Sequence, residues 1–212
     1  MKFLYWAVGA VVVFGGFYLL FTSGAGAIDP PFEVGVIHPL DRVKGSASST
    51  VILTEYSDFQ CPACRTYYPV IREVMAQYGD RVALIYRHFP LTSIHPNAEF
   101  AARAAEAAGR QGKFWEMHDL LFEKQNEWSG VSDIVSTFRS YATLLAISPD
   151  QFEADFRSSD VKDLVSAQRV HALRVGIQGT PSFFINGEQI RNPNSADEFK
   201  SIIESALSQS QN

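Results

Sequence analysis

Cys61 and Cys64 are the only cysteines in the 212-residue chain, spaced as Cys-Pro-Ala-Cys. A pair at this spacing can be half of a zinc site, an inert bridge, or a reversible dithiol-disulfide couple. A bridge across so short a loop removes little chain entropy and so adds little stability. Zinc normally takes four ligands, and His38, His88, His95, His118 and His171 show no paired spacing that would complete a site. A redox couple is the strongest reading, and it requires neither metal nor cofactor.

Such a couple works only if something holds the two sulfurs unequally. The short apolar run Val51-Ile52-Leu53 precedes the pair, and residues 62–78 place Val70, Ile71, Val74, Met75 and Tyr78 at helical spacing, with a stop at Gly79. The cysteines therefore lie where a buried strand ends and a helix opens. Pro62 suits the first helical turn. Cys61 sits at the cap, beside unpaired N–H groups and the positive end of the helix dipole, which lowers a thiol pKa. Cys64 follows one turn later, partly covered. The expected roles are Cys61 as attacking thiol and Cys64 as resolving thiol.

A second apolar run at 82–86 completes a strand-helix-strand unit, which implies parallel pairing. Helical periodicity then extends over 98–108, 113–125 and 133–147. Ser148-Pro149-Asp150-Gln151 reads as a capping box opening a further helix, and another runs from Asp160 to Gly176. Strand signals return at 182–185 and 189–191 around an Asn186-Gly187 turn. Ser195-x-x-Glu198 then opens a last helix with Phe199, Ile202, Ile203 and Ala206 on one side.

Ahead of this body, residues 3–28 carry no charge and no His, and 3–21 would span about 28 Å as a helix, close to the thickness of a bilayer core. Residues 1–27 are expected to be a signal-anchor or signal peptide, with Ala25-Gly26-Ala27 matching the small-x-small pattern of cleavage. Lys2 before the segment and Asp29 and Glu33 after it orient the remainder outside the cytoplasm. Residues 28–50, rich in Pro, Gly and Ser, read as a linker with at most one short strand near 34–37. A composition of 46% hydrophobic and 19% charged residues supports one core, and the net charge of -5 argues against a nucleic-acid partner.

Several features in order resemble the DsbA-like family of thioredoxin-fold thiol-disulfide oxidoreductases. They are Glu55 six residues before Cys61, Cys-Pro-Ala-Cys itself, Pro69 inside the following helix, the helical insertion, and Gly179-Thr180-Pro181-Ser182-Phe183-Phe184-Ile185-Asn186-Gly187. The resemblance runs from about Val51 to the C-terminus. It implies an α/β thioredoxin-like fold with a central mixed sheet flanked by helices: a first half at 51–94, an inserted all-α subdomain at 95–175 and a second half at 176–212, preceded by the N-terminal transmembrane or signal helix.

The resemblance also implies that Pro181 is a cis-proline beside the sulfurs and that Thr180 offers backbone atoms to an extended substrate peptide. Glu55 becomes the buried acid able to take the proton Cys64 must lose, joining Cys61 and Cys64 in the catalytic set. The implied activity is that of an extracytoplasmic, membrane-anchored monomeric oxidase. It would pass disulfides to reduced exported polypeptides and be reoxidised by a DsbB-like membrane partner. The alternatives are a reductase or isomerase of the same fold, or a non-enzymatic metal-binding protein. Ala63 departs from the family, since strongly oxidising relatives often carry His there; no side chain at this position can stabilise the thiolate, which leaves the redox potential open.

Overall fold

A computed structural model of the chain describes residues 32–210. The membrane or signal segment expected at 1–27 lies outside them, and among the described residues no helix is long and apolar enough to cross a membrane. Five strands form one mixed sheet: β1 (Arg42–Gly45), β2 (Val51–Ser57), β3 (Val82–His88), β4 (Ser182–Ile185) and β5 (Glu188–Ile190), in the order β1-β3-β2-β4-β5. β2 and β3 pair in parallel, with Val51 opposite Val82 and Glu55 opposite Tyr86, while every other pairing is antiparallel. The two parallel strands are central and covered on both faces, which explains why their sequences read as apolar runs rather than alternations.

The crossover between them is α1 (Pro62–Tyr78), which continues through Pro69. Its Ile71, Val74, Met75 and Tyr78 pack on Val51, Leu53, Val82 and Leu84, and the C-terminal helix adds Phe199, Ile203 and Leu207 to the same core. Between β3 and β4 the chain forms α2 (Ala98–Arg110), α3 (Phe114–Glu123), α4 (Gln125–Trp128), α5 (Ile134–Leu144), α6 (Pro149–Arg157) and α7 (Ser159–Arg174). A second core fills this insertion, where Ala101, Ala104, Ala105 and Ala108 of α2 let Phe114, Met117, Leu121, Phe138 and Phe152 approach closely. Cys61, Cys64, Phe59 and Tyr86 belong to the same cluster, so the insertion packs directly against the cysteine loop.

Local signals place the ends of elements well. Ser148 Oγ accepts the N–H of Gln151, and Ser195 Oγ accepts that of Glu198 at the start of α8 (Ala196–Gln209). Asn186 and Gly187 take φ of 49° and 90°, the left-handed values that a two-residue hairpin of this kind demands.

The linker expectation needs correction. Over its described part, 32–50 is integrated into the fold: it contains β1, while 34–37, where a strand was expected, forms a turn. The cause is a buried ion pair. Arg87 on β3 donates to both carboxylate oxygens of Asp41 at 2.9 and 2.8 Å, and also to the carbonyls of Glu33 and Val36. Both side chains are fully buried, and Phe32 lies against the guanidinium at 5.1 Å. Removing either charge would strand the other without solvent, which is costly.

Candidate active site

β2 delivers the site. Its last turn-facing residues, Glu55 to Ser57, lead into Asp58-Phe59-Gln60, and Cys61 is the N-cap of α1 with Pro62 at the first helical position. Both cysteines are free thiols. Cys61 is 7% exposed and Cys64 fully buried, so only Cys61 can be reached from outside. Cys61 Sγ donates to the carbonyl of Thr180 at 3.5 Å, and the Thr180–Pro181 peptide is cis. The Pro181 carbonyl is fixed by the Asn192 side-chain amide at 2.8 Å, and an open groove lined by Gly179, Thr180, Pro181, Gln189 and Asn192 lies beside it.

The two sulfurs differ as the cap geometry requires. A hydrogen bond from Cys64 is the main cause that brings the Cys61 pKa down from 9.0 to about 5; burial opposes this, and Thr180 and the backbone N–H groups of Cys64 and Ala63 assist it. Cys64 is pushed well above 9.0, first by burial and then by its bond and charge interaction with Cys61. Ala63 supplies a backbone donor where it has no side chain to offer.

This asymmetry has a direct readout. The rate of alkylation of Cys61 by iodoacetamide is expected to titrate with a midpoint near pH 5 and stay flat from pH 7 to 8, with Cys64 unmodified in the folded protein. A midpoint near that of an ordinary thiol, about 8.5, would contradict it.

Glu55 is 4% exposed on β2, opposite Tyr86 of β3 and Phe183 of β4. Burial raises its pKa from 4.5 to about 7, opposed by the neighbouring Ser57 hydroxyl, which favours the carboxylate. Of the residues singled out in the sequence, Cys61 meets Thr180 beside the cis Pro181, and Glu55 stands opposite Tyr86, which shares a cluster with Cys61 and Cys64.

Other residues that hold the loop were not found by sequence reasoning. Asp58 is buried; its Oδ1 accepts the Gln60 N–H at 2.7 Å, and its Oδ2 takes the Leu91 N–H at 2.9 Å and His95 Nδ1 at 2.7 Å. Its backbone N–H points at Cys64 Sγ at 3.5 Å, and its carbonyl accepts from the Cys61 N–H at 3.0 Å. Gln125 at the start of α4 donates to the carbonyls of Phe59 and Cys61 at 2.7 and 2.9 Å, and Gln60 receives the Asn97 N–H. The insertion therefore fixes the cysteine loop through polar side chains as well as packing. In sequence only their closeness to the cysteines marks Asp58 and Gln60; His95, Asn97 and Gln125 carry no signal. Among the described residues, no group of three or more Cys, His, Asp or Glu could hold a metal ion.

Fold and site together define a thiol-disulfide oxidoreductase of thioredoxin type: a capped, acidic thiol, a buried partner thiol and a cis-proline loop at the end of the central strand. The thioredoxin family model matches residues 38–205. The chain belongs to the thioredoxin family. Among solved structures, alpha-DsbA1 of Wolbachia pipientis is 20% identical, with a TM-score of 0.73 over 82% of this chain and 94% of that one. Oxidised BdbD of Bacillus subtilis is 24% identical, with a TM-score of 0.68 over 79% and 93%. At these identities the likeness is one of fold. A curated relative, Na(+)/H(+) antiporter NhaA 1 of Mycolicibacterium gilvum, is 39% identical over 176 residues, 78% of this chain and 27% of the relative. The chain spans about a quarter of the length of the curated relatives it matches.

Proposed function

We propose that the protein is an oxidase that donates the Cys61-Cys64 disulfide to reduced exported polypeptides. The observation that carries this reading is the unequal placement of the two sulfurs, Cys61 at the N-cap of α1 against the cis Thr180–Pro181 peptide and Cys64 fully buried, which lowers the first pKa and raises the second. A substrate thiolate attacks Cys61 Sγ, the accessible sulfur, and the electron pair of the broken S–S bond goes to Cys64. Glu55, protonated below about pH 7, gives Cys64 its proton. A second substrate thiolate then attacks the mixed disulfide and Cys61 leaves as a stabilised thiolate. Thr180 and Pro181 present backbone atoms along which an extended substrate can lie.

Location outside the cytoplasm, an anchor at 3–21 and reoxidation by a DsbB-like membrane partner complete the proposal; the uncharged N-terminal segment and the charges that flank it support them. A persistent dithiol-disulfide couple also suits an oxidising compartment. The domain division at 51–94, 95–175 and 176–212 belongs to the same proposal, amended by the strand that precedes residue 51.

Thiolate stabilisation favours the reduced state, so the disulfide is the stronger oxidant the lower the Cys61 pKa. Thioredoxin pairs a pKa near 7 with roughly -270 mV and DsbA pairs one near 3.5 with roughly -120 mV, so a lowered Cys61 pKa moves the expected potential upward from that of thioredoxin. Equilibration of residues 28–212 or the full chain with glutathione tests this. A potential well above roughly -270 mV, toward roughly -120 mV, supports disulfide donation; one near -270 mV moves the function to a reductase, and absence of exchange removes the enzymatic reading. The advantage of the reduced form is fully present above the ordinary thiol pKa and is lost as pH falls through about 5, so the potential should fall toward that of ordinary dithiols relative to glutathione under acid conditions.

A further inference from the structure

Buried hydroxyls without partners are uncommon, because each forgoes its hydrogen bonds to water with nothing in return. Two of them, Ser57 Oγ and Tyr86 OH, lie on the paired strands β2 and β3 near their C-terminal ends. Ser57 is 1% exposed and Tyr86 fully buried. Ser57 lies two residues after Glu55 on β2, so the two side chains point to the same face of the sheet. Tyr86 stands directly opposite Glu55 on β3 and packs in one cluster with Cys64. Asp58, the residue after Ser57, aims its backbone N–H at Cys64 Sγ. Ser57 therefore shares the face of β2 that carries Glu55 and is the chain neighbour of the N–H that meets the Cys64 sulfur. A hydroxyl at this position favours the charged form of each of them and so works against the rise in pKa that burial causes.

We propose that the Ser57 hydroxyl is the relay through which the proton passes between Cys64 and Glu55. When Cys64 leaves as a thiolate, Ser57 gives its hydroxyl proton to that sulfur and takes the carboxyl proton of Glu55. The products are a Cys64 thiol, an unchanged serine and a Glu55 carboxylate. When Cys64 resolves a mixed disulfide, the same two transfers run in reverse. The absence of a partner in the thiol state fits this role, since a hydroxyl locked in a fixed bond could not turn between two sites. The inference rests on the thiol-exchange reading of the site.

The test is the intramolecular step with glutathione, followed in both directions by stopped-flow fluorescence of the full chain. Ser57→Ala, which removes one oxygen and keeps the volume nearly unchanged, is expected to slow resolution and its reverse together by about tenfold. That is less than the hundredfold or more typical of losing the acid-base group itself, because water can partly replace the hydroxyl. The equilibrium constant with glutathione should stay within about twofold, which a packing defect would not guarantee. In a Glu55→Gln background Ser57→Ala should have no further effect, because one relay cannot be broken twice. Rates within twofold of wild type, or effects of the two substitutions that multiply, overturn the relay while leaving thiol exchange intact. Failure of the wild-type chain to exchange with glutathione at all would overturn the underlying reading instead.

Discussion

Cys64→Ser is expected to turn the protein into a trap, with client polypeptides held to Cys61 through mixed disulfides that survive non-reducing electrophoresis and disappear with dithiothreitol. Cys64 is fully buried one turn into α1, and its sulfur is the sole internal nucleophile able to reach a disulfide on Cys61 among the described residues. Well-oriented internal groups act at effective concentrations that reach roughly 10⁵ M, so its loss should lengthen the life of the mixed disulfide by several orders of magnitude at millimolar external thiol. The variant should fold, because a serine hydroxyl at this position can still accept the Asp58 N–H that faces the sulfur. Cys61→Ser is the matching control and should abolish both exchange and trapping, because it removes the one accessible sulfur. If Cys64→Ser yields no trapped species, thiol exchange is not what this site does.

The features legible in the sequence are those whose cause lies within a few residues. The position of Cys61 at a helix cap follows from Pro62 and the apolar spacing after it. The capping serines at 148 and 195 and the Asn186-Gly187 turn follow from short-range hydrogen bonding and backbone preference. β1 was illegible because Arg42–Gly45 is short, polar and an edge strand, and because what holds the segment before it is a single ion pair spanning 46 residues, Asp41 to Arg87. Neither residue type announces burial in a sequence, since charged side chains are rarely inside unless paired.

The same division runs through the site. Cys61, Cys64 and, by resemblance, Glu55, Thr180 and Pro181 could be named in advance. The scaffold that sets their geometry could not: Asp58, Gln60, His95, Asn97 and Gln125 are ordinary loop and helix residues until the insertion folds back on the cysteine loop. Ala63 illustrates the limit from the other side. Its missing side chain left the redox potential open, and the structure adds what the sequence did not show: a hydrogen bond from Cys64 outweighs the backbone N–H groups of the cap in lowering Cys61.

Glu55→Gln should move rate and stability in opposite directions. An acid whose folded pKa lies above its ordinary value binds its proton more tightly in the folded protein than in the unfolded chain. Its contribution therefore favours folding at low pH and is lost as pH rises from about 4.5 through about 7. Over that interval the wild-type protein should give up about 3 kcal/mol, and glutamine, which carries no charge to bury, should not. Urea unfolding of the reduced protein is thus expected to find the variant more stable by about 3 kcal/mol at pH 8 and nearly equal to wild type at pH 4. The intramolecular thiol step should nonetheless slow by about a hundredfold or more near neutral pH, because the proton of Cys64 has lost its carrier. A buried carboxyl kept only for structure would show the reverse pattern, with a variant less stable at pH 8 and a step as fast as in wild type. A more stable but slower variant would identify Glu55 as a group held at a thermodynamic cost for the sake of proton transfer.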